Sequence, residues 1–225
     1  MQLPIISKMR LELLTLLSQK SRTPSELSKL LEKSLPTITR HLAYLENFKL
    51  VKRVGEKRGR TRPYVKYALR EMAILIKAME GDVEILSLPL SEEVKVHLRI
   101  WSMPQQIFHY YVERFLWQIQ DLMLSIAAIA VYGSVAKGYA REDSDIDALI
   151  LATKDTAEIR KMCEAMVVKK PGEEARMVMA QVFEPNEFKQ ALSSGSEFAR
   201  EVIKGMLPIY DPDRILAWLK VSHRG

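Results

Sequence analysis

The sequence predicts an α+β protein in which a basic, helical N-terminal part precedes a C-terminal part built on a small mixed sheet flanked by helices. Three observations support this prediction. Apolar residues first recur at helical spacing and then, in two short runs, at strand spacing. Residues 1–70 hold 16 Lys and Arg against five Glu, a net charge of +11, whereas the other 155 residues carry −5. From residue 126 onward, the strand-like runs Ile126–Tyr132, Ile146–Ala152 and Arg176–Phe183 alternate with helical ones.

Three helices are predicted within the first fifty residues. The first is indicated by an apolar stripe at helical spacing, formed by Ile6, Met9, Leu13, Leu16 and Leu17. Thr23-Pro24-Ser25-Glu26 then combines an N-cap, a proline at the first helical position and a capping-box glutamate, so it opens a short second helix. Ser34 caps a third helix, and Ile38, Leu42 and Leu45 form its inner face.

Two strand-like runs follow the third helix and predict a hairpin. Leu50–Val54 and Tyr64–Leu69 flank residues 55–63, a turn-rich tip with four basic side chains. Such closely spaced donors suit backbone phosphates or the minor groove of DNA. The predicted DNA contacts of this tip are Lys57, Arg58, Arg60 and Arg62.

The outer face of the third helix is the predicted reading surface for DNA. With the inner face fixed, helical geometry turns the short hydroxyls and a basic residue outward. These groups suit base edges and phosphates. The predicted contacts are Thr37, Thr39, Arg40 and Tyr44. Two alternatives stay open, namely a solvated basic face and a helix-turn-helix that contacts only protein.

Residues 5–70 resemble the winged helix-turn-helix of ArsR-like prokaryotic repressors, most closely over Ser34–Val51. The resemblance implies double-stranded DNA as the partner. Lys49 departs from it, because the family usually has a glycine in the left-handed conformation there. ArsR-like proteins often sense metals through cysteine pairs, which a chain with the single cysteine Cys163 does not offer. We expect a homodimer, since one short recognition helix rarely gives enough specificity.

The middle of the chain is predicted as a connector whose structure the pattern does not fix. Met72–Met79 and Val83–Leu88 fit strands, and Ser91–Trp101 fits a helix. Gln105–Met123 is predicted to be a core or dimer helix, because it carries a helical stripe formed by Ile107, Tyr111, Phe115, Gln118 and Leu122. The predicted domains are therefore residues 1–70, the connector 71–103 and residues 104–225.

Cysteine content and hydropathy predict the compartment. Cys163 lies on a helical stretch and is expected to be a buried small apolar residue, and no disulfide can form within the chain. The first ten residues do not resemble a signal peptide. The apolar run Ile126–Tyr132 is much shorter than the roughly 20 residues that a membrane span needs. We expect a cytoplasmic protein without membrane contact.

The clearest chemical motif is a glycine-serine pair followed, after ten residues, by two aspartates. Gly133-Ser134 ends one strand, and Asp145 and Asp147 alternate along the next, so they share a face. Two carboxylates there can hold Mg²⁺. Gly133 allows a backbone to approach a phosphate, and Ser134 adds a hydroxyl donor. Lys137 can offset phosphate charge, although a solvated surface role is an alternative.

Residues 133–147 resemble the motif of the DNA polymerase β-type nucleotidyltransferase superfamily, especially its small "minimal" members, and the resemblance spans about residues 105–215. It implies that Gly133 and Ser134 contact a nucleoside triphosphate, while Asp145 and Asp147 are catalytic and bind Mg²⁺. An acceptor hydroxyl would attack the α-phosphorus, with pyrophosphate leaving. Positioning and charge neutralisation would supply most of the catalysis.

One part of that active site is missing from the sequence. Active members of the superfamily usually place a third carboxylate on a neighbouring strand. Here the strand Arg176–Phe183 contains no acid; the nearest ones, Glu173, Glu174, Glu184 and Glu187, lie before or beyond it. Metal–nucleotide binding is therefore expected, whereas activation of a hydroxyl is left open.

Three hypotheses for function follow. The first is a transcriptional regulator whose nucleotidyltransferase-like domain binds a nucleotide or partner without efficient turnover. The second is a working Mg²⁺-dependent nucleotidyltransferase that modifies a protein, RNA or small molecule. The third is an antitoxin-like role in which the domain modifies or sequesters a toxin partner. The absent third acid favours the first hypothesis.

Overall fold

The computed structural model describes residues 7–58 and 63–222. The chain divides into two compact units between Leu90 and Ser91, which is within the predicted connector. Over the described residues, none of the helices has the length and apolar character needed to cross a membrane.

The first unit begins with the three predicted helices. Their bounds are α1 Lys8–Gln19, α2 Pro24–Leu31 and α3 Leu35–Asn47. The capping box is formed as predicted, because the Thr23 backbone N–H donates to Glu26 at 2.7 Å and the Glu26 N–H donates to Thr23 Oγ1 at 3.2 Å. The Ser34 hydroxyl accepts from the Thr37 N–H at the start of α3. These caps fix where α2 and α3 begin.

A compact apolar core holds α1, α2 and α3 together. Its fully buried members include Leu13, Leu27, Ile38, Leu42 and Leu45. The predicted inner face of α3 is thereby confirmed. Just after α3, Lys49 adopts the left-handed conformation with φ +57°, the conformation in which the ArsR-like family usually has glycine.

Two hairpins complete the first unit. Strands β1 Val51–Arg58 and β2 Pro63–Leu69 pair antiparallel. The prediction that the turn begins at Gly55 was wrong, since pairing continues to Arg58. A bulge at Gly55, with φ +64°, lets the strand resume. The second hairpin, β3 Met72–Met79 and β4 Asp82–Pro89, confirms the strands predicted there.

The second unit is a five-stranded mixed sheet with helices on both faces, as predicted. The strand order is β7-β8-β6-β5-β9, and β6 and β8 run parallel while the other pairs are antiparallel. In chain order the elements are α4 Glu92–Trp101, α5 His109–Gln118, β5 Ile126–Tyr132, α6 Gly133–Lys137, β6 Ile146–Ala152, α7 Thr156–Cys163, β7 Met166–Val168, β8 Arg176–Phe183, α8 Pro185–Ser193, α9 Glu197–Gly205, β9 Leu207–Tyr210 and α10 Ile215–Ser222.

Alternation along β6 divides the core into two layers. Ile146, Ala148 and Ile150 belong to the layer that contains α5 and α7. Leu149 and Leu151 belong to the opposite layer, which contains α8, α9 and α10. Successive strand residues point to opposite faces, so Asp147 lies on the α8–α10 side, at the end of that layer.

The predicted helix Gln105–Met123 is interrupted. A 3₁₀ turn at Gln106–Phe108 precedes α5, and another at Gln120–Ser125 follows it. Because a 3₁₀ turn has three residues per turn, the apolar stripe shifts by one position. Phe108 is therefore fully buried, whereas Ile107, predicted on the stripe, is 42% exposed.

Candidate nucleotide site and DNA-binding face

The glycine-serine motif lies at the junction of β5 and α6. Gly133 has φ +71°, and a Cβ built on it would overlap the carboxylate of Asp147. Both the backbone conformation and the space therefore require glycine. Ser134 follows in the first turn of α6 and is half-buried. The prediction that Gly133-Ser134 ends a strand and leads into a loop was wrong, since β5 ends at Tyr132 and Gly133 begins the helix α6 in a tight turn against the acidic strand.

The two aspartates come close together at the start of β6. Asp147 pairs with Tyr132 across the β5–β6 ladder and is half-buried, while exposed Asp145 immediately precedes the strand. Burial raises the pKa of the Asp147 carboxyl, and the charge of Asp145 raises it further. Burial, followed by the charge of Asp147, raises the pKa of Tyr132 to about 12. Negative charge is therefore concentrated here with little to neutralise it.

A cavity of about 190 Å³ lies beside this pair. It is lined by Tyr132, Gly133, Lys137, Asp147, Phe198, Glu201 and Val202. Ser134 and Asp145 lie outside this lining. The Phe198 ring packs edge-on against Tyr132, with ring centroids 5.9 Å apart, and remains 38% exposed. Phe198 and Glu201, which α9 brings to the motif, were not predicted from the sequence.

Lys137 lies within this cavity but already has an acidic partner. Its Nζ is 3.1 Å from Oε1 of Glu201. The hydrogen bond that Lys137 donates to Glu201 raises the pKa of the Lys137 amine, so the lysine stays charged. Lys137 can offer one positive charge to a phosphate only in competition with Glu201.

The strand beside the aspartates offers thioethers and an amide in place of a carboxylate. Asp147 is in register with Met179 of the parallel strand β8. Met177 and Gln181 share that face by alternation. Across residues 7–58 and 63–222, no three His, Cys, Asp or Glu side chains are grouped closely enough to hold a metal ion. The donor set at the motif is therefore a pair of carboxylates.

The loop between α6 and β6 is held from outside the motif. The Gln105 side chain donates to the Ala140 carbonyl at 2.9 Å and accepts from the Ala140 N–H at 3.0 Å. Within the loop, the Arg141 N–H donates to the Ser144 hydroxyl at 2.9 Å. These bonds fix the approach of the chain to Asp145, and Gln105 had no sequence signal for this role.

A second cavity in this unit suits phosphate poorly. It has a volume of about 550 Å³ and lies between α4 and α5. Its carboxylates are Glu92, Glu93 and Glu113, and His97 is bonded to Glu113 at 3.0 Å. The described side chains that line it include no lysine or arginine. Such a lining repels an anion, so the smaller cavity at Asp147 is the candidate nucleotide site.

The outer face of α3 presents part of the predicted DNA-contacting set to solvent. Thr39 and Arg40 are exposed. The Thr39 hydroxyl donates to the Leu35 carbonyl at 2.9 Å, and the Thr37 hydroxyl lies 2.8 Å from that of Ser34. Both hydroxyls therefore already have hydrogen-bond partners at the start of α3. Arg40 remains as the exposed cation on this surface.

Tyr44 lies in a different environment from Arg40. The Arg10 guanidinium carbon is 3.5 Å from the centre of the Tyr44 ring, and the Phe48 ring centroid is 4.7 Å from it. Tyr44 is consequently half-buried between α1 and the end of α3. Burial and the charges of Arg10 and Arg40 lower the pKa of His41, which places two cations near this part of α3.

The basic tip of the first hairpin is only partly described. The backbones of Lys57 and Arg58 belong to β1, in register with Tyr64 and Pro63. Arg60 and Arg62 lie outside the described residues. Their predicted contacts with DNA stay predictions.

Comparisons with known proteins match both parts of the chain. The family model described as "Bacterial regulatory protein, arsR family" matches residues 7–53, and that described as "Polymerase beta, Nucleotidyltransferase" matches residues 118–214. No curated protein matches the sequence. A solved structure described as "Crystal structure of the toxin-antitoxin with AMP-PNP" is similar with a TM-score of 0.30 and 12% identity, over 50% of this chain and 81% of that chain. That TM-score is too low to support an argument. The chain thus carries an ArsR-family winged helix-turn-helix and, C-terminal to it, a polymerase β-type nucleotidyltransferase domain.

Proposed function

We propose that this protein is a DNA-binding transcriptional regulator whose nucleotidyltransferase domain binds a Mg²⁺–nucleoside triphosphate with weak or no turnover. The observation that carries the proposal is the arrangement around Asp147. Gly133 lies directly against its carboxylate, while the strand beside it presents Met179 at the same level. Such a site retains the groups for binding and lacks one for activating an acceptor.

The donor set at the motif suits Mg²⁺. This ion commonly binds one or two protein carboxylates and completes its shell with phosphate oxygens and water. Asp145 and Asp147 would hold it. Burial, and after it the charge of Asp145, raises the pKa of Asp147, and a bound cation would relieve the repulsion between the two carboxylates. When bound, the ion supplies neutralisation of the triphosphate charge.

The remaining residues of the site have binding roles in this proposal. The backbone at Gly133 admits a phosphate at close range. Lys137 provides a positive charge on the same cavity, and Phe198 provides a partly exposed aromatic surface. The described residues on the Asp147 face of β8 include no acid that could accept a proton from an attacking hydroxyl.

The DNA-binding half of the proposal rests on the first unit. Thr39 and Arg40 are exposed on the recognition helix. The hairpin tip would supply phosphate contacts with Lys57, Arg58, Arg60 and Arg62. We propose double-stranded DNA as the partner and a homodimer as the binding form, with two recognition helices reading two half-sites. The proposed compartment is the cytoplasm.

An active nucleotidyltransferase is the alternative. The intact pair Asp145 and Asp147 beside Gly133 favours it, because these residues would hold a metal–triphosphate and neutralise its charge for attack by an acceptor. The acceptor would be a hydroxyl of a protein, RNA or small molecule. A toxin is a candidate acceptor or partner within this alternative.

Binding and transfer can be separated in one experiment. The full chain is incubated with Mg²⁺ and each of four labelled nucleoside triphosphates, and equilibrium dialysis and pyrophosphate release are measured together. We expect binding that depends on Mg²⁺ and is lost in Asp147→Asn, with little pyrophosphate. Rapid pyrophosphate release that Asp147→Asn abolishes would support the enzyme instead. Absence of binding to all four would overturn the nucleotide proposal.

A further inference from the structure

Glu201 adds a carboxylate from a different element of the fold to the candidate nucleotide site. It comes from α9, more than fifty residues after the aspartate pair, and lines the same cavity as Asp147 and Gly133. Glu201 is not grouped with Asp145 and Asp147 as a metal-holding cluster among the described residues. Its position therefore requires an explanation other than metal ligation.

The contact that Glu201 makes is with Lys137. Nζ and Oε1 are 3.1 Å apart, and the lysine stem passes over Gly205 of the same helix. A Cβ added to Gly205 would lie 3.0 Å from the Lys137 Cε, so the missing side chain leaves room for the stem. The Lys137 side chain therefore lies against α9, and its ammonium group is paired with Glu201.

This ion pair can be broken at small cost. The Glu201 side chain is 71% exposed and that of Lys137 is 36% exposed. Exposed pairs of this kind contribute about 0–1 kcal/mol to stability. The terminal phosphate of a triphosphate carries more negative charge than a carboxylate and is a stronger partner for the lysine ammonium. Lys137 can therefore exchange the Glu201 carboxylate for a phosphate group at little energetic cost.

The size and charge of the cavity point to the same exchange. Ligand sites usually have volumes of about 300–1,000 Å³, and this cavity has about 190 Å³ with the pair formed. Lys137 is the single cation among the described residues that line it. As long as Glu201 holds that cation, a polyphosphate meets two carboxylates, Asp147 and Glu201, and no free positive charge.

We propose that Lys137 exchanges Glu201 for a phosphate group of the bound nucleotide, so that Glu201 is a built-in competitor that sets the affinity of the site. The inference rests on the proposed function, since it assumes that a polyphosphate binds beside Asp147. Binding then has two coupled consequences, neutralisation of the phosphate by Lys137 and release of the α6–α9 ion pair. In this scheme Glu201 lowers the affinity of the site for a polyphosphate and makes no contact with the metal.

The test compares two glutamates of the same helix. Glu201→Gln removes the competitor, while Glu197→Gln removes the same charge from an exposed position one turn earlier that does not line the cavity. Isothermal titration calorimetry of the full chain uses two probes, magnesium tripolyphosphate and magnesium ATP. Tripolyphosphate reports on phosphate contacts without a base. Thermal melting confirms that each variant is folded.

We expect Glu201→Gln to bind both probes about two- to fivefold more tightly than the natural chain, as an exposed charge pair allows. Glu197→Gln should change affinity much less. Lys137→Met should weaken binding, and Glu201→Gln should give a smaller gain in the Lys137→Met background, because part of the gain comes from the freed lysine. Glu201→Ala should reproduce the gain and guards against an effect particular to glutamine.

The outcomes separate the two proposals. If the natural chain binds and Glu201→Gln and Glu201→Ala bind with unchanged or lower affinity, the exchange is overturned and the nucleotide site stands. If Glu197→Gln gives the same gain as Glu201→Gln, the effect is general charge, and the exchange is again overturned. If neither the natural chain nor any variant binds either probe, the nucleotide site itself is overturned.

Discussion

A methyl group added to Gly133 would overlap Oδ2 of Asp147. Gly133, which begins α6, is therefore directly beside the Asp147 carboxylate. The two are brought together because Tyr132, the last residue of β5, pairs with Asp147 of β6. Gly133 also has φ +71°, which L side chains rarely adopt. The glycine is therefore required both by its own backbone and by the position of the acid.

Gly133→Ala should remove nucleotide binding. The backbone conformation alone costs about 1–2 kcal/mol for a residue with a side chain, and the added Cβ also displaces the Asp147 carboxylate. We expect a lower Tm together with complete loss of Mg²⁺-dependent binding, measured by calorimetry with magnesium ATP.

Gly172→Ala is the matched control for this variant. Gly172 has φ +78° and nothing within 4 Å of an added Cβ, so it shares the backbone strain without the overlap. It should lower Tm by a similar or smaller amount and leave binding intact. Equal loss of binding in both variants would show that general destabilisation, and not the displacement of Asp147, explains Gly133→Ala.

Asp147→Asn should stabilise the protein in the absence of metal. The folded state raises the pKa of the Asp147 carboxyl, through burial first and Asp145 second. A carboxyl whose pKa is raised on folding binds its proton more tightly in the folded state, so stability falls as pH rises between its ordinary pKa and the raised one. We therefore expect a higher Tm than the natural chain around pH 7, measured by calorimetric melting in EDTA.

The pH dependence of this difference is the decisive measurement. Below the ordinary pKa of 3.8 both states are protonated, so the advantage of Asp147→Asn should disappear there. Added Mg²⁺ should raise the Tm of the natural chain more than that of Asp147→Asn. An advantage that persists unchanged at acid pH would point to packing in place of charge.

Local features of the sequence predicted most of the fold. The caps at Thr23 and Ser34 are satisfied by residues three positions away, so their pattern is readable without tertiary information. The strand that carries Asp147 has the predicted bounds, because an uninterrupted apolar run after an acidic pair is itself local. The short strands β7 and β9 and the helix α10 were missed, since segments of three to eight residues carry little periodicity.

The parts of the site that could not be predicted depend on packing between distant elements. Glu201 and Phe198 reach the cavity because α9 packs on the layer formed by Leu149 and Leu151. Tyr44 has the outward direction that helical spacing gives, yet it contacts Arg10 of α1, which the spacing of α3 alone cannot reveal. Parallel register, which sets Met179 beside Asp147, is likewise a tertiary property.

Arg40→Ala should weaken DNA binding without loss of stability. Arg40 is exposed on α3 and has room to contact phosphate or a base edge. We expect roughly tenfold lower affinity for duplex DNA and a shallower salt dependence if the contact is to phosphate, measured by fluorescence anisotropy at several salt concentrations. Tm should stay within about 1 °C of that of the natural chain, as is usual for surface substitutions.

Tyr44→Ala distinguishes the two sides of the same helix. Because the ring is packed between Arg10 and Phe48, its removal should lower Tm as well as any DNA affinity.

Lys20→Ala is the control for Arg40→Ala, because it removes an exposed cation at the end of α1 and so reports the effect of nonspecific charge. Unchanged DNA affinity in Arg40→Ala would remove this face of α3 from the DNA interface.

Met179→Asp should convert a binding site into a better catalyst. Met179 is in register with Asp147 on the parallel strand, so an acid there lies beside the aspartate pair. A third carboxylate would add a metal ligand and a proton acceptor for the attacking hydroxyl, a contribution of roughly 10²–10⁴-fold for general base catalysis. The measurement is pyrophosphate release from magnesium ATP with water or added hydroxyl compounds as acceptor.

Gln181→Asp is the control for Met179→Asp, because it adds the same charge to the same face of β8 two residues further along, beside Leu149. The crowded charge should lower the Tm of Met179→Asp until Mg²⁺ is added. Turnover that is already high in the natural chain and falls in Met179→Asp would contradict the regulator proposal and favour an enzyme whose acid comes from elsewhere.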